Sequence, residues 1–274
     1  MTRTGISRGV AVIVACMGMV LAAPAGAMAL TTHSATTTTT NSAGQLVATA
    51  TCGAGEHVVS GGFQGSDASA AVSSRAVNGD SWTVRLFPFG TPTLTTYAYC
   101  ARNGQLSVFG HENRVPALTG ERNTTATASC ASRQTLVSGG YAFLPGLHES
   151  NSPTYRDFAA SARTWSVMSV FNQTPARLAA FAYCARGVVV KVRSNSSLSV
   201  LTGAHGSATA SCHAGETLLS GGYTTTPTPD WHNHTGPDFF YGDSYRSGAR
   251  SWTASAHNFS HVAGKITAFA YCMP

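Results

Sequence analysis

One sixteen-residue pattern occurs three times and restricts the fold more than any other feature of the chain. It reads ATATCGAGEHVVSGGF from Ala48 to Phe63, ATASCASRQTLVSGGY from Ala126 to Tyr141, and ATASCHAGETLLSGGY from Ala208 to Tyr223. Each copy is followed by a Trp (Trp82, Trp165, Trp252) and then by an aromatic-Ala-Tyr-Cys stretch ending at Cys100, Cys184 or Cys272. The expected organisation is a leader over 1–29, a Thr-rich tail over 30–45, and repeats over 46–103, 104–186 and 187–274. Within that tail, Thr31 to Ser42 has few large apolar residues to bury and reads as a mobile segment or a weak first strand.

The repeat reads as β-structure. In Ala126 to Cys130, Ala126, Ala128 and Cys130 share one face and Thr127 and Ser129 the other, which is period two. Thr135–Tyr141 is a second strand, whose Gly pair marks a bulge or a close backbone approach. Trp82–Leu86 is a third, with Trp82, Val84 and Leu86 inward. Thr95–Cys100 is apolar on both faces and is expected inside a sheet. Gln105–Gly110 and Gly187–Arg193 are expected to add a strand leading into the next repeat. No stretch has a helical period with caps. The expected fold is therefore all-β: three homologous antiparallel repeats, stapled by disulfides. They form either one pseudo-threefold body or a row of small sandwiches.

Six cysteines follow the leader, two per repeat, and six allow fifteen pairings. Treating all repeats alike leaves pairing within repeats or pairing between them. The first closes each module and avoids a bridge across nearly the whole chain, so Cys52–Cys100, Cys130–Cys184 and Cys212–Cys272 are expected. A zinc site is disfavoured by the lack of any C-x₂₋₄-C pair.

Charged residues make up 10% of the chain, so solubility must rest on Thr, Ser, Asn and Gly. The formal charge is +6, or 6 − 2 = +4 without Arg3 and Arg8 of the leader. No basic run of five or more exists, so no nucleic-acid partner is expected. The leader has a basic start, an apolar run from Val10 to Leu21 and an A-x-A site at Ala27-Met28-Ala29. It reads as a secretory signal, with Leu30 as the first mature residue. The apolar run is too short to span a bilayer, so the mature chain is expected to lack a transmembrane segment. Ile13-Val14-Ala15-Cys16 offers an alternative, a lipid anchor on Cys16.

The module C-x₇-SGG-[FY] … W … [YF]-A-Y-C resembles repeats in uncharacterised secreted proteins of high-GC Gram-positive bacteria. The resemblance covers Ala48 to Cys272 and implies export but no particular activity. In symmetry alone the chain also resembles threefold β-prism or trefoil lectins, without any lectin sugar motif.

Ser60, Ser138 and Ser220 precede Gly-Gly in every repeat, and no G-x-S-x-G elbow surrounds them, so they read as structural. His111-Glu112 lacks the second histidine of an H-E-x-x-H site. No catalytic residue, cofactor or metal site is assigned. The Cys-to-Trp spacing grows from 30 to 35 to 40 residues, whereas Trp-to-Cys stays at 18, 19 and 20. Length variation thus falls between the SGG strand and the Trp strand, as expected of functional loops at one edge. The longest, Thr224 to Ser251, carries Asp230, Trp231, His232, Asn233 and His234, then Tyr241. Aromatic rings beside Asp and Asn suit sugar stacking with hydroxyl recognition. His232 and His234, with one residue between them, lie on one side of an extended chain and with Asp230 and Asp243 supply the donor types of a metal set. Tyr155 and Arg156 come from the matching loop of repeat two. The expected function is secreted, non-catalytic binding of a glycan or a cell-envelope component. The alternatives are a structural surface protein without a small ligand and a secreted hydrolase.

Overall fold

The computed structural model describes residues 28–65, 69–88, 93–115, 122–144, 154–171, 177–228 and 238–274. These form eighteen strands, six per repeat, and no helix among the described residues. Repeat one holds β1 (Thr31–Thr37), β2 (Leu46–Thr51), β3 (Glu56–Gly65), β4 (Ser69–Val77), β5 (Ser81–Pro88) and β6 (Leu94–Arg102). Repeat two holds β7 (Phe109–Arg114), β8 (Arg122–Ser129), β9 (Thr135–Leu144), β10 (Thr154–Ala159), β11 (Thr164–Phe171) and β12 (Arg177–Ala185). Repeat three holds β13 (Lys191–Ser196), β14 (His205–Ser211), β15 (Thr217–Thr226), β16 (Phe239–Gly248), β17 (Ser251–Asn258) and β18 (Lys265–Met273). Period two governs burial: in β2, Leu46, Ala48 and Ala50 are buried while Val47, Thr49 and Thr51 are exposed.

No sheet belongs to a single repeat. Sheet I has the order β1-β6-β3-β16-β17-β14, sheet II β13-β18-β15-β10-β11-β8, and sheet III β2-β5-β4-β9-β12-β7. Every sheet joins the SGG half of one repeat to the Trp half of another, antiparallel throughout. The seams are short: Asp243↔Gln64 and Ser244↔Phe63 in sheet I, Asp157↔Tyr223 and Arg156↔Thr224 in sheet II, Ser73↔Ala142 and Ser74↔Tyr141 in sheet III. The three repeats therefore form one body around a pseudo-threefold axis. A row of separate sandwiches would need each repeat to pair with itself.

The disulfides pair within repeats, Cys52–Cys100, Cys130–Cys184 and Cys212–Cys272, with Cα separations of 5.7–5.8 Å. Cys52 follows β2 of sheet III and Cys100 lies in β6 of sheet I, so that bridge ties sheet III to sheet I. Cys130–Cys184 ties sheet II to III, and Cys212–Cys272 ties sheet I to II. Each closes a loop of about fifty residues, worth about 4 kcal/mol of chain entropy.

The SGG motif is the joint of this body. Val59, Val137 and Leu219 are the extra residues of three equivalent bulges. A bulge frees a backbone group from the ladder, and buried backbone groups must be paired. The carbonyls of these bulge residues are met in a ring: the hydroxyl of Ser60 donates to Leu219, Ser220 to Val137 and Ser138 to Val59, at 2.5–2.6 Å. The serines are structural, as read, and they close the threefold. The first Gly makes room for the Trp: a Cβ on Gly61, Gly139 or Gly221 would lie 2.0–2.1 Å from Trp82, Trp165 or Trp252. The second makes room for a seam carbonyl, of Ser244, Asp157 or Ser74, at 2.2–2.5 Å.

Each Trp is buried and meets an AYC tyrosine from another repeat edge-on, Trp82 with Tyr183, Trp165 with Tyr271 and Trp252 with Tyr99, at 5.5–5.7 Å. Each tyrosine hydroxyl accepts from a backbone N–H across the seam, of Ala76, Ala159 or Arg246. Each indole N–H donates to the residue at the seam: Ser74 for Trp82, Ser244 for Trp252, and Asp157 for Trp165. One slot of three thus holds a buried carboxyl where the others hold a hydroxyl.

Of the two readings of the Thr-rich stretch, the strand holds: Thr31–Thr37 is edge strand β1, paired with β6 along its whole length. It fills the place that β7 and β13 take in the other repeats. The second half of the Thr224–Ser251 stretch is no loop: Phe239–Gly248 is β16, and the repeat-two residues Tyr155 and Arg156 lie in β10. Aromatic and polar groups on both faces, and the bulge between Tyr241 and Asp243, hide their period in the sequence.

Candidate functional site

Asp230, Trp231, His232, Asn233 and His234 lie outside the described residues. The structure does place the two stems of that segment. The guanidinium of Arg156 donates to the Thr228 hydroxyl, and the Tyr155 hydroxyl donates to Asp238 Oδ1 at 2.7 Å. Tyr155 and Arg156 therefore hold Asp238 and Thr228, the described residues on either side of 229–237. Tyr155 is fully buried and offers no face to a ligand. Tyr241 is a second correction: it is buried and stacks on Tyr223 at 3.8 Å, so it belongs to the core. Its hydroxyl is buried without a hydrogen-bond partner, a cost set against the burial and stacking of the ring.

The groups that do face outward near this loop form rows across sheet I. Side chains of paired residues share a face, so the register reads as a map. One row runs Ser34, Tyr97, Tyr245, Thr253, Thr209. The next runs Thr36, Thr95, Gln64, Asp243, Ser255, Ser207. A third, shorter row has Phe240, His257 and His205. Cross-strand hydroxyl pairs stitch the face, such as Thr36 to Thr95 at 3.0 Å and Thr209 to Thr253 at 2.7 Å. Similar pairs occur on the other sheets, such as Thr49 with Thr83 on sheet III, and make the surface polar with little charge.

At the seam the first two rows make a platform. Tyr97 and Tyr245 are half-buried, with rings 5.8 Å apart and 20° from parallel. Gln64 links them: the Tyr97 hydroxyl donates to its Oε1 at 3.1 Å, and its amide donates to the Tyr245 hydroxyl at 3.4 Å. Beside the platform, Asp243 accepts from the Gly65 N–H at 3.1 Å and from the Ser255 hydroxyl. Burial raises the Asp243 carboxyl above the usual aspartate range, against those hydrogen bonds and the nearby His205. A cleft of about 330 Å³ follows, lined by Asp243, Ser255, His257, His205 and Phe240. The His257 ring rests on Phe259 at 4.3 Å, and its Nδ1 is buried without a hydrogen-bond partner.

The symmetry supplies internal comparisons. The positions of Tyr97 and Tyr245 are taken by Phe181 and Arg75 on sheet III, where the guanidinium lies 5.4 Å over the ring. On sheet II they are taken by Phe269 and Phe158, stacked at 5.3 Å. Asp243 corresponds to Arg156 and Ser73. Only sheet I combines paired tyrosines, an amide and a carboxylate among the described residues.

Two groups of metal-ligating types converge among the described residues: His33, Glu56 and Cys100, and Cys212, Glu216 and Cys272. Their cysteines are in disulfides, and the carboxylates are occupied. Glu56 binds Thr31, His33 and the Gly53 N–H; Glu216 binds Arg193 and the His213 N–H. Gln134 does the same work in repeat two, holding His111 and the Ala131 N–H. These are clamps on the turn after the first cysteine, which also explains His111.

No protein-family model and no curated protein matches the chain. Among the described residues, no helix is long and apolar enough to cross a membrane. The sequence reading missed Tyr97, Gln64 and Tyr245. The one available signal was that repeat one has Tyr where repeats two and three have Phe before Ala-Tyr-Cys.

Proposed function

We propose that this is a secreted, non-catalytic binding protein whose outer face on sheet I takes a carbohydrate, as a glycan chain of the cell envelope or surroundings. Export is supported by the leader and by three disulfides, which persist in oxidising compartments. The observation that carries the binding reading is the Tyr97–Gln64–Tyr245 platform beside Asp243 and the histidine cleft. Near-parallel aromatic rings suit the flat CH-lined faces of β-linked pyranoses, while amide, carboxylate and imidazole groups suit their hydroxyls.

Calorimetric titration with cellohexaose and chitohexaose, followed by a glycan array, tests this. Tyr97→Ala and Tyr245→Ala should each weaken binding at least about tenfold, the loss of about 1.4 kcal/mol expected for one stacking ring. Phe158→Ala, at the matching place on sheet II, should leave it unchanged. Binding to no glycan, or equal losses on both faces, would favour the structural surface protein.

A further inference from the structure

Where β3, β9 and β15 begin, the three repeats differ in a way that opens a cavity. The equivalent residues are His57, Thr135 and Thr217, one step after Glu56, Gln134 and Glu216. Three residues before each edge strand β7, β13 and β1 stands a linker residue: Leu106, Val188 or Met28. In two repeats the threonine ties that linker down. Thr135 donates to the Val188 carbonyl at 3.0 Å, and Thr217 to the Met28 carbonyl at 3.1 Å. At the third place histidine replaces threonine, and a cleft of about 450 Å³ lies between repeats one and two.

Its walls are Leu106, Val108 and Tyr183 on the apolar side and His57, Asn103 and Ser107 on the polar side, with no charged side chain. His57 Nδ1 lies 3.4 Å from Asn103 Oδ1. An amide oxygen only accepts, so in the neutral ring Nδ1 carries the proton and Nε2 is left as an acceptor. Nε2 is buried and has no hydrogen-bond partner. A buried acceptor without a donor is costly, and a small site with one such group and apolar walls is built to orient a ligand.

We infer that this cleft is a second binding site, for a small neutral molecule that offers a hydroxyl to His57 Nε2 and an apolar face to Leu106, Val108 and Tyr183. Single sugar rings and small phenols share that chemistry, and the volume suits one ring system. The site is independent of the glycan reading: His57 and Gln64 stand seven residues apart on β3, about 23 Å in an extended strand.

The test is imidazole NMR of the full secreted chain, titrated separately with glucose, N-acetylglucosamine and phenol. The His57 resonances should shift saturably with at least one probe at millimolar concentration, and sugar against phenol identifies the source. In a Tyr97→Ala, Tyr245→Ala background that removes the platform, His57→Thr installs the residue of the other two repeats and should fold normally while abolishing probe binding, read by saturation transfer. Leu106→Phe, filling the cleft from the opposite wall, should do the same with His57 intact. Tyr245→Ala should leave the titration unchanged. No shift with any probe up to about 100 mM, or binding that survives both cleft variants, would overturn the inference.

Discussion

Asp157 gives the sharpest stability prediction. The slot that accepts the indole N–H holds Ser74 and Ser244 in two repeats and Asp157 in the third, at 2.6 Å from Trp165 Nε1. Desolvation pushes the Asp157 carboxyl up to about 7, partly opposed by the bond from Trp165. The titratable groups around it are Tyr141, Tyr183, Tyr223 and Tyr271, all raised by their own burial and neutral at physiological pH. In the unfolded chain the same carboxyl ionises near 3.9. As pH rises from about 4 to about 7, the unfolded chain gives up its proton freely while the folded chain must hold it. Stability is therefore full below about pH 4 and falls through the folded value near 7. Each tenfold difference in proton affinity is about 1.4 kcal/mol, so the loss approaches about 4 kcal/mol by pH 8. Asp157→Asn keeps an oxygen for Trp165 and removes the titration. Urea melts of both proteins from pH 4.5 to 8 should show their stabilities diverging with pH, with the variant ahead at pH 8. Asp238 and Asp243 are also raised but are common to both proteins, so the difference isolates Asp157. Parallel pH profiles would refute the reasoning.

Other outcomes follow from the same joints. Gly139→Ala places a methyl group 2.0 Å from the Trp165 ring and should cost about 3 kcal/mol by thermal or urea melting. Ser138→Ala leaves the Val59 carbonyl buried without its donor and should cost about 1–3 kcal/mol, with Ser60→Ala and Ser220→Ala equal to it within error. Signal cleavage after Ala29 would remove Met28, whose carbonyl meets Thr217 and whose side chain packs on the core. Intact mass checks this: Leu30 as the first residue is the expected result and would show that contact to be dispensable.

The all-β class, the threefold module, the bridges and the buried tryptophans were legible because each depends on a local period or on matched cysteines. The exchange of half-sheets between repeats was not. It rests on seams of two residue pairs, and nothing in Gln64 or Asp243 alone states that they face each other. The site was half legible for the same reason. The long loop of repeat three stands out by its length, and Tyr155 and Arg156 meet the residues that flank it, Asp238 and Thr228. Tyr241 reads as a ligand ring in the sequence because a bulge shifts the faces of β16, and one residue of shift turns a side chain from surface to core. The Tyr97–Tyr245 platform pairs residues 148 positions apart, beyond any local pattern. The useful extent of the long loop also changes: a deletion that preserves the fold must stop before β16, at 237.

Amide chemical-shift mapping with chitohexaose or cellohexaose tests the exchanged sheet and the binding face together. The account predicts that shifted amides fall on β3, β6, β16 and β17, on residues of repeats one and three that adjoin only if those repeats share sheet I. Shifts confined to one repeat, or spread equally over all three sheets, would contradict it.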